Sequence, residues 1–166
     1  MSELEKLAEG LGRLLLERGE WLAAAESCTG GWLAQSVTAI AGSSAWFDRG
    51  FVTYSNAAKT DMLGVAETTL ERHGAVSEAV ARAMAQGVLA HSRADWSVAI
   101  TGIAGPSGGT PEKPVGTVCF AWAWTDGGCE AQTCHFGGDR FAVREQSVRH
   151  ALSGLIERLG SATCLV

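Results

Sequence analysis

The sequence lacks two features: an apolar run of membrane-spanning length and an excess of basic residues. Its 13 lysines and arginines are outnumbered by 18 aspartates and glutamates, which gives a net charge of −5. The first absence argues against a membrane protein, because a spanning helix needs about 20 consecutive apolar residues. The second makes nucleic acid a poor candidate partner. An anionic substrate would therefore be bound by local basic groups and not by the overall field of the protein.

Closely spaced cysteine pairs are also missing. No spacing typical of a zinc site or a redox motif occurs among the five cysteines, which are Cys28, Cys119, Cys129, Cys134 and Cys164. Their odd number argues against a disulfide framework. Reduced thiols are the simpler interpretation, and they predict a cytoplasmic location. The acidic, helical amino terminus does not resemble a signal peptide, which favours the same location. We expect neither a metal nor a cofactor.

Apolar patterns of helical and strand period alternate along the chain without a linker or an internal repeat. We predict strands over residues 21–25, 46–54, 95–101, 115–125 and 129–136, and helices over 2–18, 57–63, 68–73, 77–90 and 140–159. The expected helix caps are Ser2, Gly19, Ser77 and Asp139. Interleaved strands and helices indicate a three-layer α/β/α fold, one domain over residues 1–166 with a mixed central sheet.

A polar turn over residues 26–31, with the sequence ESCTGG, separates the first predicted strand from a further helix. That helix is predicted because Leu33, Val37, Ile40 and Ala41 share one face. A hydroxyl on such a turn points away from the sheet, and the start of the helix should present unpaired N–H groups to a ligand. We therefore expect a nucleophile, an oxyanion pocket or an anion site here.

Ser27 on this turn is a candidate nucleophile, but a serine hydroxyl is weak and needs a base. None of the four histidines lies on a predicted strand-end loop near Ser27. A lysine can serve instead when partial burial lowers its pKa. Lys59 lies one helical turn beyond the end of a predicted strand, and Tyr54 at that strand end could relay or orient the proton. The alternative is that Ser27 only caps the helix and that Lys59 is a solvated charge.

Cys28 is a rival nucleophile beside Ser27. Its thiolate would be favoured at the start of a helix. The alternative is a small buried apolar side chain, which is the more common role of a free cysteine. Because no base partner for the thiol is evident, we rank Cys28 below Ser27.

Two further segments could bind phosphate or ribose. Beyond Thr101, Gly102 and Gly105 allow close approach of the backbone, although the segment matches neither the P-loop nor the dinucleotide-binding pattern. Arg140 and Arg144 lie one turn apart on the last predicted helix, which suits the binding of a phosphate. The alternatives are a flexible surface turn for the glycine segment and a solvated basic helix edge for the arginines.

Several of these segments together resemble one known family. They are AESCTGG (25–31), AGSSAWFDRGFVTYSN (41–56) with Lys59, HGAVS (73–77), TGIAGP (101–106) with KPVGT (113–117), and GDR (138–140) with Arg144. In this order, and over nearly the whole chain, they resemble the CinA carboxy-terminal domain family in the form of its stand-alone nicotinamide-nucleotide amidases.

The resemblance implies an activity and its residues. The reaction is hydrolysis of the carboxamide of nicotinamide mononucleotide to nicotinate mononucleotide and ammonia, a step of pyridine-nucleotide salvage. The resemblance assigns Ser27 as nucleophile and Lys59 as base, with Tyr54 assisting. It also implies a homodimer or higher homo-oligomer, and the reaction requires no metal.

The resemblance also directs the assignment of substrate contacts. Backbone N–H groups of the nucleophile turn would hold the oxyanion, while other residues would close around ribose and phosphate. The expected substrate-binding residues are Cys28, Thr29, Gly30, Gly31, Gly42, Ser43, Thr101, Gly102, Gly105, Arg140 and Arg144.

Two other functions fit parts of the pattern. A non-catalytic nucleotide-binding or regulatory module, of the competence or damage-inducible type, would keep the glycine loops and the arginines. It would not need Lys59 and Tyr54 near Ser27, so the presence of all three favours an enzyme. A different amidase or esterase could use the same dyad, and only a panel of substrates separates that possibility.

Overall fold

The sheet at the centre of the molecule has five strands, and the computed structural model describes residues 1–164, with side chains through residue 161. In chain order the strands are β1 (Leu22–Glu26), β2 (Phe47–Val52), β3 (Trp96–Gly102), β4 (Thr117–Trp124) and β5 (Cys129–His135). Their order in the sheet is β2-β1-β3-β4-β5. β1 runs parallel to β2 and β3, whereas β4 is antiparallel to both β3 and β5. The predicted mixed sheet is therefore confirmed.

Helices cover both faces of the sheet. In the described part of the chain they are α1 (Glu3–Arg18), α2 (Trp32–Thr38), α3 (Asn56–Leu63), α4 (Glu67–His73), α5 (Glu78–Ala90) and α6 (Arg140–Cys164). One apolar core joins α1, α2 and α6 to the sheet, and a second core joins α3, α4 and α5 to its other face. This arrangement confirms the three-layer α/β/α prediction. Across residues 1–164, no helix combines the length and apolar character needed to cross a bilayer.

The residue pattern of the inner strands explains the two layers. All five residues of β1 are buried, as expected for a strand between two parallel neighbours. On the face toward α5, the inner strands present small side chains, including Ala25, Ala99 and Ala121, and these pack with Met84 of the helix. The opposite face carries larger side chains such as Phe120, which pack with α1 and α6.

The predicted caps are present at the helix ends. Ser2 and Glu5 form a reciprocal capping box, and Gly19 ends α1 with a left-handed φ of 65°. Ser77 accepts a hydrogen bond from the Val80 N–H at the start of α5. The Asp139 carboxylate accepts one from the Ala142 N–H at the start of α6, at 2.9 Å.

Some predicted boundaries are wrong. β2 ends at Val52, two residues before Tyr54, because the Ser55 hydroxyl caps α3 and the chain leaves the sheet. The helix after the polar turn ends at Thr38, so Ile40 and Ala41 lie beyond it. The Thr38 hydroxyl donates to the carbonyl of Ala34 at 2.7 Å, one turn earlier. The last helix continues past residue 159 to Cys164.

The carboxyl-terminal ends of the three parallel strands lie at one edge of the sheet. Glu26, the last residue of β1, is in register with Val52 of β2 and Ile100 of β3. The segments that follow these strands therefore begin side by side, as is typical of ligand sites in α/β sheets. Ser27, Thr53 and the loop after Gly102 are brought together in this way.

Candidate active site

Ser27 and Lys59 are in direct contact. The N–H of Ser27 donates to the Ile100 carbonyl at 3.0 Å, which continues the pairing of β1 with β3. Lys59 lies one turn into α3, and its Nζ is 3.1 Å from Ser27 Oγ. The same ammonium group donates to the carbonyls of Thr53 at 2.9 Å and Tyr54 at 3.4 Å. The structure therefore brings together two predicted residues that are far apart in the sequence.

The environment of Lys59 suits a base. Only 1% of the residue is exposed, and no carboxylate forms an ion pair with it within residues 1–164. Burial therefore lowers the pKa of the Lys59 ammonium below its ordinary 10.5, because desolvation disfavours the charged form. A neutral amine within hydrogen-bonding distance of a serine hydroxyl can accept its proton.

Cys28 does not have the activated thiol that its position predicted. The side chain is buried and lines the same cavity as Ser27. Burial raises the pKa of the thiol to about 12, so the thiol form is favoured at neutral pH. The expectation of a stabilised thiolate is therefore wrong, since desolvation outweighs the favourable charges of the neighbouring arginines.

The start of α2 is occupied by a residue that the sequence reasoning missed. Glu26 is 1% exposed, and its two carboxylate oxygens accept hydrogen bonds from the N–H groups of Leu33 at 2.9 Å and Ala34 at 3.1 Å. The prediction that these N–H groups are unpaired is therefore wrong. The sequence did contain a signal for this role. Glu26 follows an apolar strand and precedes a Gly-rich turn, and a charged residue at the end of a buried strand indicates a carboxylate that needs hydrogen-bond partners.

Tyr54 contacts the dyad through its backbone and not through its phenol. Its carbonyl accepts from Lys59 Nζ and lies 3.5 Å from Ser27 Oγ. The residue is 61% exposed, and its phenol oxygen accepts from Arg140 Nη2 at 3.1 Å. Arg140 Nη1 also donates to the Gly105 carbonyl at 2.9 Å. Tyr54 and Arg140 thus form one side of the entrance to the site.

Arg144 binds the backbone of the nucleophile turn. Its Nε donates to the Cys28 carbonyl at 3.0 Å, and its Nη2 donates to the Thr29 carbonyl at 3.2 Å. The guanidinium carbon lies 5.5 Å from the ring centroid of Trp32, which in turn contacts Phe141 at 5.0 Å between centroids. The two arginines, predicted to bind a phosphate together, therefore have different positions. Arg140 is at the entrance, whereas Arg144 contacts the nucleophile turn.

A cavity of about 180 Å³ opens beside the dyad. Its polar lining includes Ser27, Lys59, Asn56 and Thr101, and its apolar lining includes Ala75, Val76 and Ala104. Gly102 and Arg140 also border it. Thr101 donates from its hydroxyl to the Ala75 carbonyl at 2.9 Å, which fixes the loop before α5. Asn56 and the three apolar residues lie within the segments that carry the family resemblance, but they were not predicted as site residues because they bear no group that takes part in the proposed chemistry.

The remaining predicted residues divide into two groups. Gly30 and Gly31 shape the nucleophile turn with left-handed φ values of 58° and 103°, and Thr29 is buried within the turn. Gly42 and Ser43 lie at a short 3-10 turn just before β2, whose first residues pair with the beginning of β1. The structure therefore places Gly42 and Ser43 at the edge of the sheet opposite Ser27 and does not bring them to the cavity.

Fold and site together define a small α/β protein with a lysine-paired serine directly after β1, one of the three parallel strands of its sheet. In residues 1–164, no three metal-ligating side chains form a group that could hold an ion. The chain belongs to the family described as the CinA C-terminal domain, whose model matches residues 4–159.

Individual relatives agree with this membership. The chain is 58% identical over 155 residues to the nicotinamide-nucleotide amidohydrolase PncC of Escherichia coli strain K12, covering 93% of each chain. It is 49% identical over 158 residues to the protein of the same name from Pseudomonas putida, covering 95% of this chain and 98% of that one. Among solved structures, the competence/damage inducible protein CihA from Agrobacterium tumefaciens superposes with a TM-score of 0.93 at 47% identity, over 96% and 97% of the two chains.

Proposed function

We propose that this chain is a nicotinamide-nucleotide amidohydrolase that acts as one domain. It hydrolyses the carboxamide of nicotinamide mononucleotide to nicotinate mononucleotide and ammonia. The observation that carries the proposal is the buried pair of Ser27 Oγ and Lys59 Nζ, 3.1 Å apart beside a cavity. The proposed substrate is supported by the 58% identity to the E. coli enzyme, in an alignment that covers 93% of both chains.

The proposed mechanism uses Lys59 twice. Neutral Lys59 takes the proton of Ser27 as Oγ attacks the amide carbon, and the resulting ammonium returns a proton to the leaving amine. Ammonia departs and leaves an ester between Ser27 and the nicotinoyl group. Water then attacks this ester while Lys59 accepts its proton, and the proton returns to Ser27 Oγ as the acid leaves. The lowered pKa of Lys59 supports this role, because the amine is then neutral closer to physiological pH.

The oxyanion would be held by N–H groups of the nucleophile turn. The Gly30 N–H donates to the Ser27 carbonyl at 3.1 Å, so it is engaged within the turn. We therefore assign the oxyanion to N–H groups among Cys28, Thr29 and Gly31. Arg144 supports this assignment, since its bonds to the Cys28 and Thr29 carbonyls fix the peptide planes of the turn.

The substrate would be divided between the cavity and its entrance. A volume of about 180 Å³ suits a pyridine ring and its carboxamide but not a whole mononucleotide. The ring would lie against Val76 and Ala104, with ribose and phosphate at the entrance near Gly102. We assign the phosphate to Arg140, whose guanidinium is at the entrance. Tyr54, hydrogen-bonded to Arg140, stays the candidate for assisting the proton relay.

We further propose a cytoplasmic homo-oligomer. Four cysteines, Cys28, Cys119, Cys129 and Cys134, are free thiols, as expected in a reducing compartment, and the Cys164 side chain lies outside the described residues. The homo-oligomer is the state that the resemblance to the family implies, and Phe141, which is 60% exposed, is an apolar side chain available to its interface. Cell fractionation tests the cytoplasmic location, and light scattering tests the oligomeric state.

Ammonia release from nicotinamide mononucleotide, without added metal, tests the function. The parent chain should release ammonia, the Ser27→Ala variant should not, and Cys28→Ala should keep most of the rate. Release by the parent and by Ser27→Ala alike would contradict Ser27 as nucleophile. No release by the parent would favour the non-catalytic nucleotide-binding module. A panel of other amides and esters then decides whether the mononucleotide is the preferred substrate.

A further inference from the structure

Glu26 is the residue directly before the proposed nucleophile, and it is an unusual residue for its position. The other residues of β1 are leucine and alanine, and all are buried. Glu26 is 1% exposed, and no ion pair to its carboxylate occurs in residues 1–164. A buried carboxylate is costly unless its oxygens are hydrogen-bonded. Its presence therefore needs an explanation other than packing of the core.

The hydrogen bonds of Glu26 join the strand to the helix across the nucleophile turn. The carboxylate oxygens accept from the N–H groups of Leu33 at 2.9 Å and Ala34 at 3.1 Å. Five residues separate Glu26 from Trp32, the first residue of α2, and these include the two glycines with left-handed φ. Glycines leave a turn with little stiffness of its own. The Glu26 side chain is thus a direct link between the two ends of the turn.

The backbone of Glu26 is connected to the Lys59 side of the dyad. Its carbonyl accepts from the Thr53 N–H at 2.9 Å, and the Thr53 carbonyl accepts from Lys59 Nζ at 2.9 Å. The next residue, Ser27, is held on the other side by the Ile100 carbonyl. One residue therefore fixes the end of β1, the start of α2 and the segment that holds the lysine.

We propose that Glu26 is a positioning residue, which sets Ser27 Oγ in line with Lys59 Nζ by joining β1 to the start of α2. The proposal rests on the proposed function, in which Ser27 is the nucleophile. Glu26 also fills the start of α2, so the substrate phosphate is bound elsewhere. A glutamine has nearly the same shape, but its NH₂ group cannot accept a hydrogen bond from the second N–H. The turn in Glu26→Gln should therefore shift.

The test compares Glu26→Gln with Glu20→Gln. Glu20 is a matched control because its carboxylate also holds a structural contact, accepting from the Trp96 indole N–H at 2.7 Å, at the opposite edge of the sheet. Measured quantities are kcat and KM for nicotinamide mononucleotide, the rate at which a fluorophosphonate labels Ser27, and the melting temperature. In the labelling, Ser27 Oγ bonds to phosphorus, its proton passes to Lys59, and fluoride leaves.

In Glu26→Gln, kcat should fall about 100-fold, as expected for a displacement of about 1 Å at a reacting group. KM should stay near that of the parent, and labelling should slow together with kcat. Glu20→Gln should keep kcat and labelling even if its melting temperature falls. A Glu26→Gln variant with the parent's kcat and labelling rate would overturn the proposal, whatever its stability.

Two further outcomes separate this proposal from the proposed function. A parent that is labelled at Ser27 but releases no ammonia would refute the amidase, while the labelling rates would still decide the role of Glu26. A parent that is neither labelled at Ser27 nor able to release ammonia would refute both. If Glu26→Gln does not fold, Glu26→Asp makes the same comparison, because the shorter carboxylate cannot span the turn in the same way.

Discussion

The position of Arg144 under the nucleophile turn gives the most discriminating prediction. Substitution of Arg144 by Met keeps an extended apolar side chain against Trp32 but removes the hydrogen bonds to the Cys28 and Thr29 carbonyls. The Thr29 carbonyl still accepts from the Trp32 N–H at 3.0 Å, so only the Cys28 carbonyl loses its partner. The perturbation is thus confined to the turn that carries Ser27.

The size of the effect follows from these contacts. The hydrogen bond from a charged donor to the Cys28 carbonyl contributes about 2 kcal/mol. The cation–π contact with Trp32 adds about 0.5–1 kcal/mol. The free energy of unfolding should therefore fall by about 3 kcal/mol, which lowers the melting temperature by about 6–12 °C in a chain of this length. Displacement of the turn should also lower kcat about 100-fold.

The assay compares nicotinamide mononucleotide with nicotinamide riboside, which lacks the phosphate. If Arg144 holds the turn, Arg144→Met lowers kcat by a similar factor for both substrates. The matched variant Arg140→Met should instead lower kcat/KM for the mononucleotide more than for the riboside. The reasoning would be refuted if Arg144→Met melted like the parent and its loss of activity vanished with the riboside. Arg144 would then be a phosphate ligand.

Three other predictions concern pH and packing. The kcat/KM value should rise with pH through the Lys59 pKa and level off below 10.5, because burial lowers that pKa. Tyr54→Phe should keep this rise, and loss of the rise in that variant would contradict Lys59 as its source. Between the lowered pKa and 10.5 the unfolded chain binds more protons at Lys59 than the folded protein does. The urea-unfolding free energy of the parent minus that of Lys59→Met should therefore grow as the pH rises from the lowered pKa toward 10.5, and a constant difference would contradict the lowered pKa. Trp122→Phe loses the buried hydrogen bond from the indole N–H to the Ala151 carbonyl and leaves a void in the core. The melting temperature should therefore fall by about 4–8 °C while kcat stays unchanged. An unaltered melting temperature would contradict this description of the core.

The sequence by itself determined the elements and their caps. Hydrogen bonds such as those of Ser77 and Asp139 join residues three apart, so local composition is enough to predict them. The buried run of β1 and the alternation of strands with helices similarly predicted a mixed sheet between two helical layers. These features depend on short-range geometry and on the burial of one face, which the order of residues encodes directly.

Only the tertiary structure decided which polar groups meet. Ser27 and Lys59 are 32 positions apart in the sequence, and they meet because the parallel register of β1 with β2 brings the ends of these strands to one edge of the sheet. The same packing sends Arg144, 116 residues beyond Cys28, to the turn instead of the entrance. Burial reversed the expected shift of the Cys28 pKa, and the Glu26 carboxylate took the helix start that had been expected to bind a ligand. Charge, desolvation and hydrogen-bond partners at this site depend on neighbours distant in sequence, and no local pattern specifies them.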